Sequence, residues 1–171
     1  LAAVFGCAVM TGVGAVTNTV QPPPGAAIAV IGLGGVGLAA LLGARLHEPS
    51  MLIACDPLAA KRDLALRLGA THVVDATDAG AAEQVRELTR GGVHYAFEMA
   101  GSVKAMDLAY RITRRGGTTV TAGLSHPREL LQIPHVGIVA EERTIKGSYL
   151  GSCVPARDIP RFIGLYRAGR L

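Results

Sequence analysis

The sequence predicts an α/β fold: a doubly wound, six-stranded parallel sheet with helices on both faces. Three observations carry that expectation. Short apolar runs alternate along the chain with segments of helical period, the pattern of repeated β-α units. The runs are continuous rather than alternating, as in Ile28-Ala29-Val30-Ile31, which suits strands covered by helices on both sides. The first run leads straight into Gly32-Leu33-Gly34-Gly35-Val36-Gly37 and then a helical pattern, a strand, glycine turn and helix in the order that opens such sheets.

A leading helix is expected over residues 9–20. Gln21-Pro22-Pro23-Pro24-Gly25 stops it, because prolines cannot continue a helix. Residues 1–24 therefore read as a lead-in segment and residues 25–171 as the main domain. Strands are expected at 27–32, 51–56, 72–75, 93–98, 118–122 and 144–149. The helices between and after them fall at 35–47, 58–68, 81–90, 103–114 and 156–168. Pro57 suits the first turn of the helix that follows Asp56. Six strands equal the number in a two-half nucleotide fold.

With 171 residues, 50% of them hydrophobic, the chain is long enough for a real core and too apolar for extended disorder. No apolar run approaches the roughly 18 residues of a membrane span. Leu1-Ala2-Ala3-Val4-Phe5 lacks a basic region and an initiator methionine, so a signal peptide is not expected and the chain reads as part of a longer protein. The net charge of +4 comes from scattered bases. The densest group, Arg157, Arg161, Arg167 and Arg170, falls on the last helix with Asp158 among it and reads as a solvated face. Aromatic residues make up only 4%, which argues against a base-stacking platform. Neither nucleic acid nor membrane is an expected partner. Cys7, Cys55 and Cys153 form no C-x-x-C pair, which fits a reducing compartment, with the cytoplasm as the default.

The glycine turn carries the functional reading. Gly32 permits a tight turn, Gly34 lets backbone amides approach a pyrophosphate, and Gly37 lets the helix pack close to the sheet. The helix start offers unpaired N–H groups and partial positive charge to phosphates. Asp56 stands nineteen residues after Gly37, placed to accept ribose hydroxyls, though a helix cap is the bland alternative. Its charge opposes a 2′-phosphate and no arginine follows directly, so NAD is expected over NADP. His47, His72, His94, His126 and His135 show no metal spacing and read as surface or loop positions. Glu98 reads as structural, and Cys55 and Cys153 as inert thiols.

Several ordered segments resemble the coenzyme (Rossmann) domain of zinc-dependent medium-chain alcohol dehydrogenases. They are Gly6-Cys7-Ala8-Val9-Met10-Thr11-Gly12, the glycine turn, Asp56, Leu68-Gly69-Ala70-Thr71, Phe97-Glu98-Met99-Ala100-Gly101, Ala122-Gly123-Leu124 and Ile145-Lys146-Gly147-Ser148. The resemblance implies hydride transfer between a primary or secondary alcohol and NAD. It implies that Cys7 is one of three protein ligands of a catalytic zinc, the others lying in a catalytic domain absent from this chain. By itself the chain would hold no zinc and turn over nothing. Thr11 would support one side of the nicotinamide and Val36 the other. Lys61 would sit near the adenosine ribose and Ala100 near the nicotinamide ribose. Backbone groups of Ala122, Ser148 and Leu150, with Leu124 beside them, would hold the carboxamide. Two copies would pair through the edge strand 144–149. The competing readings are a non-catalytic nucleotide-binding module and a methyltransferase.

Overall fold

The structure is a computed structural model that describes residues 4–171. The strands are β1 (Ala27–Ile31), β2 (Met51–Cys55), β3 (His72–Val74), β4 (Val93–Glu98), β5 (Thr113–Thr121) and β6 (Thr144–Gly147). The helices are α1 (residues 5–20), α2 (Gly35–Arg45), α3 (Ala59–Arg67), α4 (Ala81–Thr89), α5 (Val103–Ile112), α6 (His135–Ala140) and α7 (Pro155–Arg167). All strand pairs are parallel and the order is β3-β2-β1-β4-β5-β6. The chain thus winds outward from β1 twice, once each way, and the order reverses between β1 and β4.

Burial on both faces accounts for the continuous apolar runs. Ile28 and Val30 of β1 pack with Ala40, Leu41 and Ala44 of α2 and with Val16 of α1. Ala29 and Ile31 point the other way, toward Val85 of α4 and Leu108, Ala109 and Ile112 of α5. Each fully buried aliphatic side chain of this kind contributes about 1.5–3 kcal/mol. A third cluster, with Phe5, Met10, Val13 and Phe162, seats α7 against α1.

Helix α1 is longer than expected. Its middle, Met10–Gly14, is α-helical, and its ends, Phe5–Val9 and Ala15–Val20, are wider π-type turns. Glycines lower its intrinsic helix propensity, but one of them is required by packing. A Cβ on Gly12 would strike the Val36 carbonyl and lie 2.7 Å from the Ala40 nitrogen, so α1 and α2 cross backbone to backbone.

Other boundaries also differ. Helix α5 stops at Ile112 instead of running to 114, and Thr113 already pairs with Val93. The Thr113 hydroxyl takes the last-turn carbonyl of Ala109 at 2.8 Å and lies 2.8 Å from the Thr119 hydroxyl. The register then jumps, so that Tyr95 faces Thr118. Helix α6 was not expected. It is a six-residue turn with no buried residue, too short and too rich in glycine and β-branched residues to announce itself. The strands β1, β2, β3, β5 and β6 end one or two residues before their expected limits.

His94 corrects the surface reading of the histidines. It is half-buried in β4, where its Nδ1 accepts the Ala27 N–H at 3.0 Å and its Nε2 lies 2.9 Å from the Arg114 guanidinium. Burial, with the Arg114 charge second, lowers its pKa below the usual 6.5. Asp158 likewise is no part of a solvated face. Its carboxylate has no exposed surface, accepts the Val154 N–H at 2.8 Å and pairs with Arg157, whose hydrogen bonds hold its pKa below the usual carboxylate range.

Two outcomes are expected. Gly12→Ala should lower the unfolding free energy by about 2–3 kcal/mol in urea melts; an unchanged midpoint would contradict the close crossing. Because folded His94 resists its proton, its contribution to stability is complete above about pH 6.5 and is lost as the pH falls below that value. His94→Gln keeps an acceptor for Ala27 but does not titrate, so its stability should be flatter across that interval than the parent's.

Candidate functional site

The site is built where the order of the sheet reverses. After β1 the chain turns on Gly32, whose φ of +89° is reserved for glycine. Its N–H donates to the Cys55 carbonyl at 2.8 Å, and a Cβ there would lie 2.7 Å from that of Ala100. Gly37 is equally enclosed, since a Cβ would strike the Gly32 carbonyl. Gly34 is different. It is extended, stands at the N-cap of α2, and has open space where a Cβ would point. The first-turn N–H groups of Gly35, Val36 and Gly37 have no intrahelical acceptor. Beside Gly34 is room for an anion and donors to hold it.

Asp56 follows the last residue of β2. It is 4% exposed. Its Oδ2 accepts the Leu33 N–H at 2.7 Å and its Oδ1 the Leu58 N–H at 2.9 Å. Asp56 is not the helix cap, since Leu58 holds that position without a side-chain cap bond; its carboxylate instead closes the turn before α3 and pins the glycine turn. Lys61 Nζ stands 3.8 Å from Oδ2. A crevice of about 420 Å³ opens along this edge, lined by Gly32, Asp56, Pro57, Thr77, Ala100 and Lys104 among others. Space, amides and carboxylate fit a dinucleotide laid across the carboxyl ends of β1, β2 and β4.

With this geometry in view, the comparisons are direct. Residues 35–167 match the family model described as "Zinc-binding dehydrogenase". The chain belongs to that family. It is 34% identical over 171 residues to alcohol dehydrogenase 1 of Trifolium repens, covering 98% of this chain and 45% of that one. The benzyl alcohol dehydrogenase of Acinetobacter calcoaceticus superposes with a TM-score of 0.94 at 31% identity, over 97% of this chain and 46% of that one. A zinc-binding dehydrogenase of Sinorhizobium meliloti 1021 bound to NADP superposes with a TM-score of 0.85 at 26% identity, over 98% and 48%. The chain spans about half the length of the relatives it matches. In this zinc-binding dehydrogenase family it corresponds to the coenzyme-binding domain.

Thr11 is buried in α1, beside Gly12 where that helix meets Val36. Ala122 and Ser148 close β5 and β6, and their N–H groups already donate to Glu98 and Thr121 carbonyls at 3.1 and 2.8 Å. Only their carbonyl oxygens remain for a ligand. The Ser148 hydroxyl meets that of Thr19 at 2.8 Å, and Thr19 meets Ser152 at 2.9 Å. Leu124 is 84% exposed, while Leu150 has a φ of +47° in an exposed loop.

Cys7 is exposed in the first turn of α1, not ahead of the helix as expected. Among the described residues no three His, Cys, Asp or Glu side chains gather to hold a metal. One cysteine is not the three-ligand set of a catalytic zinc.

Glu98 has the structural role expected of it. It is 1% exposed and accepts the N–H groups of Ala100 and Gly101 and the Thr121 hydroxyl. Sequence reasoning missed Arg62, which donates to the Asp56 and Pro57 carbonyls and pairs with Asp75. No local pattern marked it: Arg62 lies on α3, and its partner Asp75 follows the neighbouring strand β3.

Burial pushes the Cys55 thiol up to about 12 and raises that of Cys153. Iodoacetamide at neutral pH should label Cys7 in the native protein, and Cys55 and Cys153 only slowly until denaturant is added. Equal rates for Cys7 and Cys55, followed by peptide mass spectrometry, would contradict this arrangement.

Proposed function

We propose that this chain binds NAD as the coenzyme domain of a zinc-dependent alcohol dehydrogenase that moves hydride between a primary or secondary alcohol and NAD. The observation that carries the reading is the open space at Gly34, ringed by free first-turn amides and bordered by the Asp56 carboxylate. In this reading the amides of Gly35, Val36 and Gly37 hold the pyrophosphate. Asp56 uses its remaining lone pairs for the ribose hydroxyls, with Lys61 beside it. Ala100 borders the second ribose. Val36 and Thr11 flank the nicotinamide, and the carbonyls of Ala122 and Ser148 with the Leu150 N–H orient its carboxamide, near Leu124. When bound, the nicotinamide supplies hydride acceptance; the chain's residues position it and exclude water from one face.

Cys7 is the thiolate this chain would contribute to a zinc, its other ligands coming from outside the described residues. The 171-residue chain alone would hold nucleotide without oxidising alcohol. Asp56 favours NAD, because its charge opposes a 2′-phosphate. The β6 edge supports pairing with a second copy: all four of its residues are exposed, and Val136 and Val139 nearby are 70% and 69% exposed.

Gly34→Val tests the reading, because the φ of −76° suits any residue and a Cβ there has no protein atom within 4 Å. Its unfolding free energy should stay within about 1 kcal/mol of the parent. Calorimetric NAD affinity should fall at least about tenfold, the loss of one good charge-assisted contact. Unchanged affinity would sink the pyrophosphate assignment.

A further inference from the structure

Arg62 and Asp75 stand behind Asp56, Pro57 and Thr77, which line the crevice, and the reading above gives neither a role. One guanidinium nitrogen of Arg62 donates to the Asp56 carbonyl at 2.7 Å and to the Pro57 carbonyl at 2.8 Å, and lies 3.1 Å from the Asp75 carboxylate. The side chain is only 18% exposed. The other Asp75 oxygen accepts the N–H and hydroxyl of Thr77 at 2.9 and 2.6 Å, and Thr77 lines the crevice. The β2–β3 register sets these groups side by side, since Cys55 pairs with Val74 and the Asp56 N–H donates to the Val74 carbonyl. A cation thus sits between two adjacent strand ends, each followed by a carboxylate, directly behind Asp56, beside which the ribose would lie.

We propose that Asp75 is a specificity-determining residue: it cages Arg62 and so withholds from a 2′-phosphate the partly buried guanidinium beside Asp56. The inference rests on the NAD reading of the crevice. An uncommitted arginine beside the ribose would welcome a phosphate through paired N–H groups. Here one guanidinium nitrogen is spent on Asp75 and two carbonyls, and the Asp75 carboxylate answers the cation's charge. A phosphate that displaced Asp75 would still face that carboxylate and Asp56. Discrimination then has two parts, repulsion by Asp56 and neutralisation of the cation that would otherwise offset it. Asparagine at position 75 keeps the Oδ1 acceptor for Thr77 and sets an uncharged amide NH2, which cannot accept, opposite Arg62.

Titration of NAD and NADP into the 171-residue chain, its Asp75→Asn variant and the Asp75→Asn/Arg62→Gln double variant tests this. Asp75→Asn should tighten NADP about tenfold, the worth of one charge-assisted hydrogen bond, with NAD held within about twofold. The double variant should return to the parent's preference. Asp75→Ser gives the same comparison should the asparagine variant melt early. An unchanged NADP affinity, or a gain that survives loss of Arg62, overturns the proposal while leaving NAD binding intact. A parent chain that takes up neither dinucleotide overturns the cofactor reading, and the specificity argument with it.

Discussion

The Asp56 carboxylate joins two turns that would otherwise be independent. One oxygen accepts Leu33 in the glycine turn and the other accepts Leu58 at the start of α3. A carboxylate with this little exposure is tolerated because both oxygens are hydrogen-bonded. Those two bonds fix the path of residues 32–34, and that path aims the first amides of α2 outward. The open amides of the glycine turn therefore depend on a group that also closes the turn before α3. A carboxylate has about four lone-pair positions and the backbone uses two, which would leave the others for a ligand.

The glycines of the turn divide by what a Cβ would meet. Gly32 and Gly37 are enclosed by backbone, and the fold needs them whether or not a ligand is present. Gly34 faces nothing. Neither packing nor a left-handed backbone calls for glycine there, since its φ is −76°. A glycine that the fold does not require, at a helix start with unpaired amides, is best explained by what is to lie over it. Gly12 belongs with the enclosed pair, and its contact with Val36 brings α1 to the rim of the site.

What was legible in the sequence follows from how local each signal is. The central strands announced themselves because burial on both faces demands unbroken apolar runs. The glycine turn and Asp56 announced themselves because a tight turn between strand and helix constrains a few consecutive residues, and the carboxylate that pins it follows the next strand directly. Thr113 did not, because its pairing with Val93 and the jump in register after it are decided by a neighbouring strand. His94 was misread because its partner, the Ala27 N–H, is 67 residues distant. Arg62 was passed over because its partner Asp75 enters only through the β2–β3 register. Helix α6 buries nothing, so no periodic apolar pattern marked it.

The two ends of the crevice are held by different means. At the ribose end, strand ends, backbone carbonyls and paired charges fix every group. The other end relies on the loop after β6, where Leu150 and Ser152 both have positive φ and Tyr149 is 78% exposed. That loop is not anchored by the sheet beyond Ser148 but by α1. Thr19 bonds Ser148 and Ser152, Lys146 donates to the Thr19 carbonyl at 2.7 Å, and Gly151 lies against Gly14 with no room for a Cβ. Helix α1 also carries Thr11 and meets Val36 through Gly12. One helix thus sets the distance between the glycine turn and the β6 loop, the two walls between which a nicotinamide would lie. A change that shifts α1 would leave the ribose end intact while altering how the reactive ring is held.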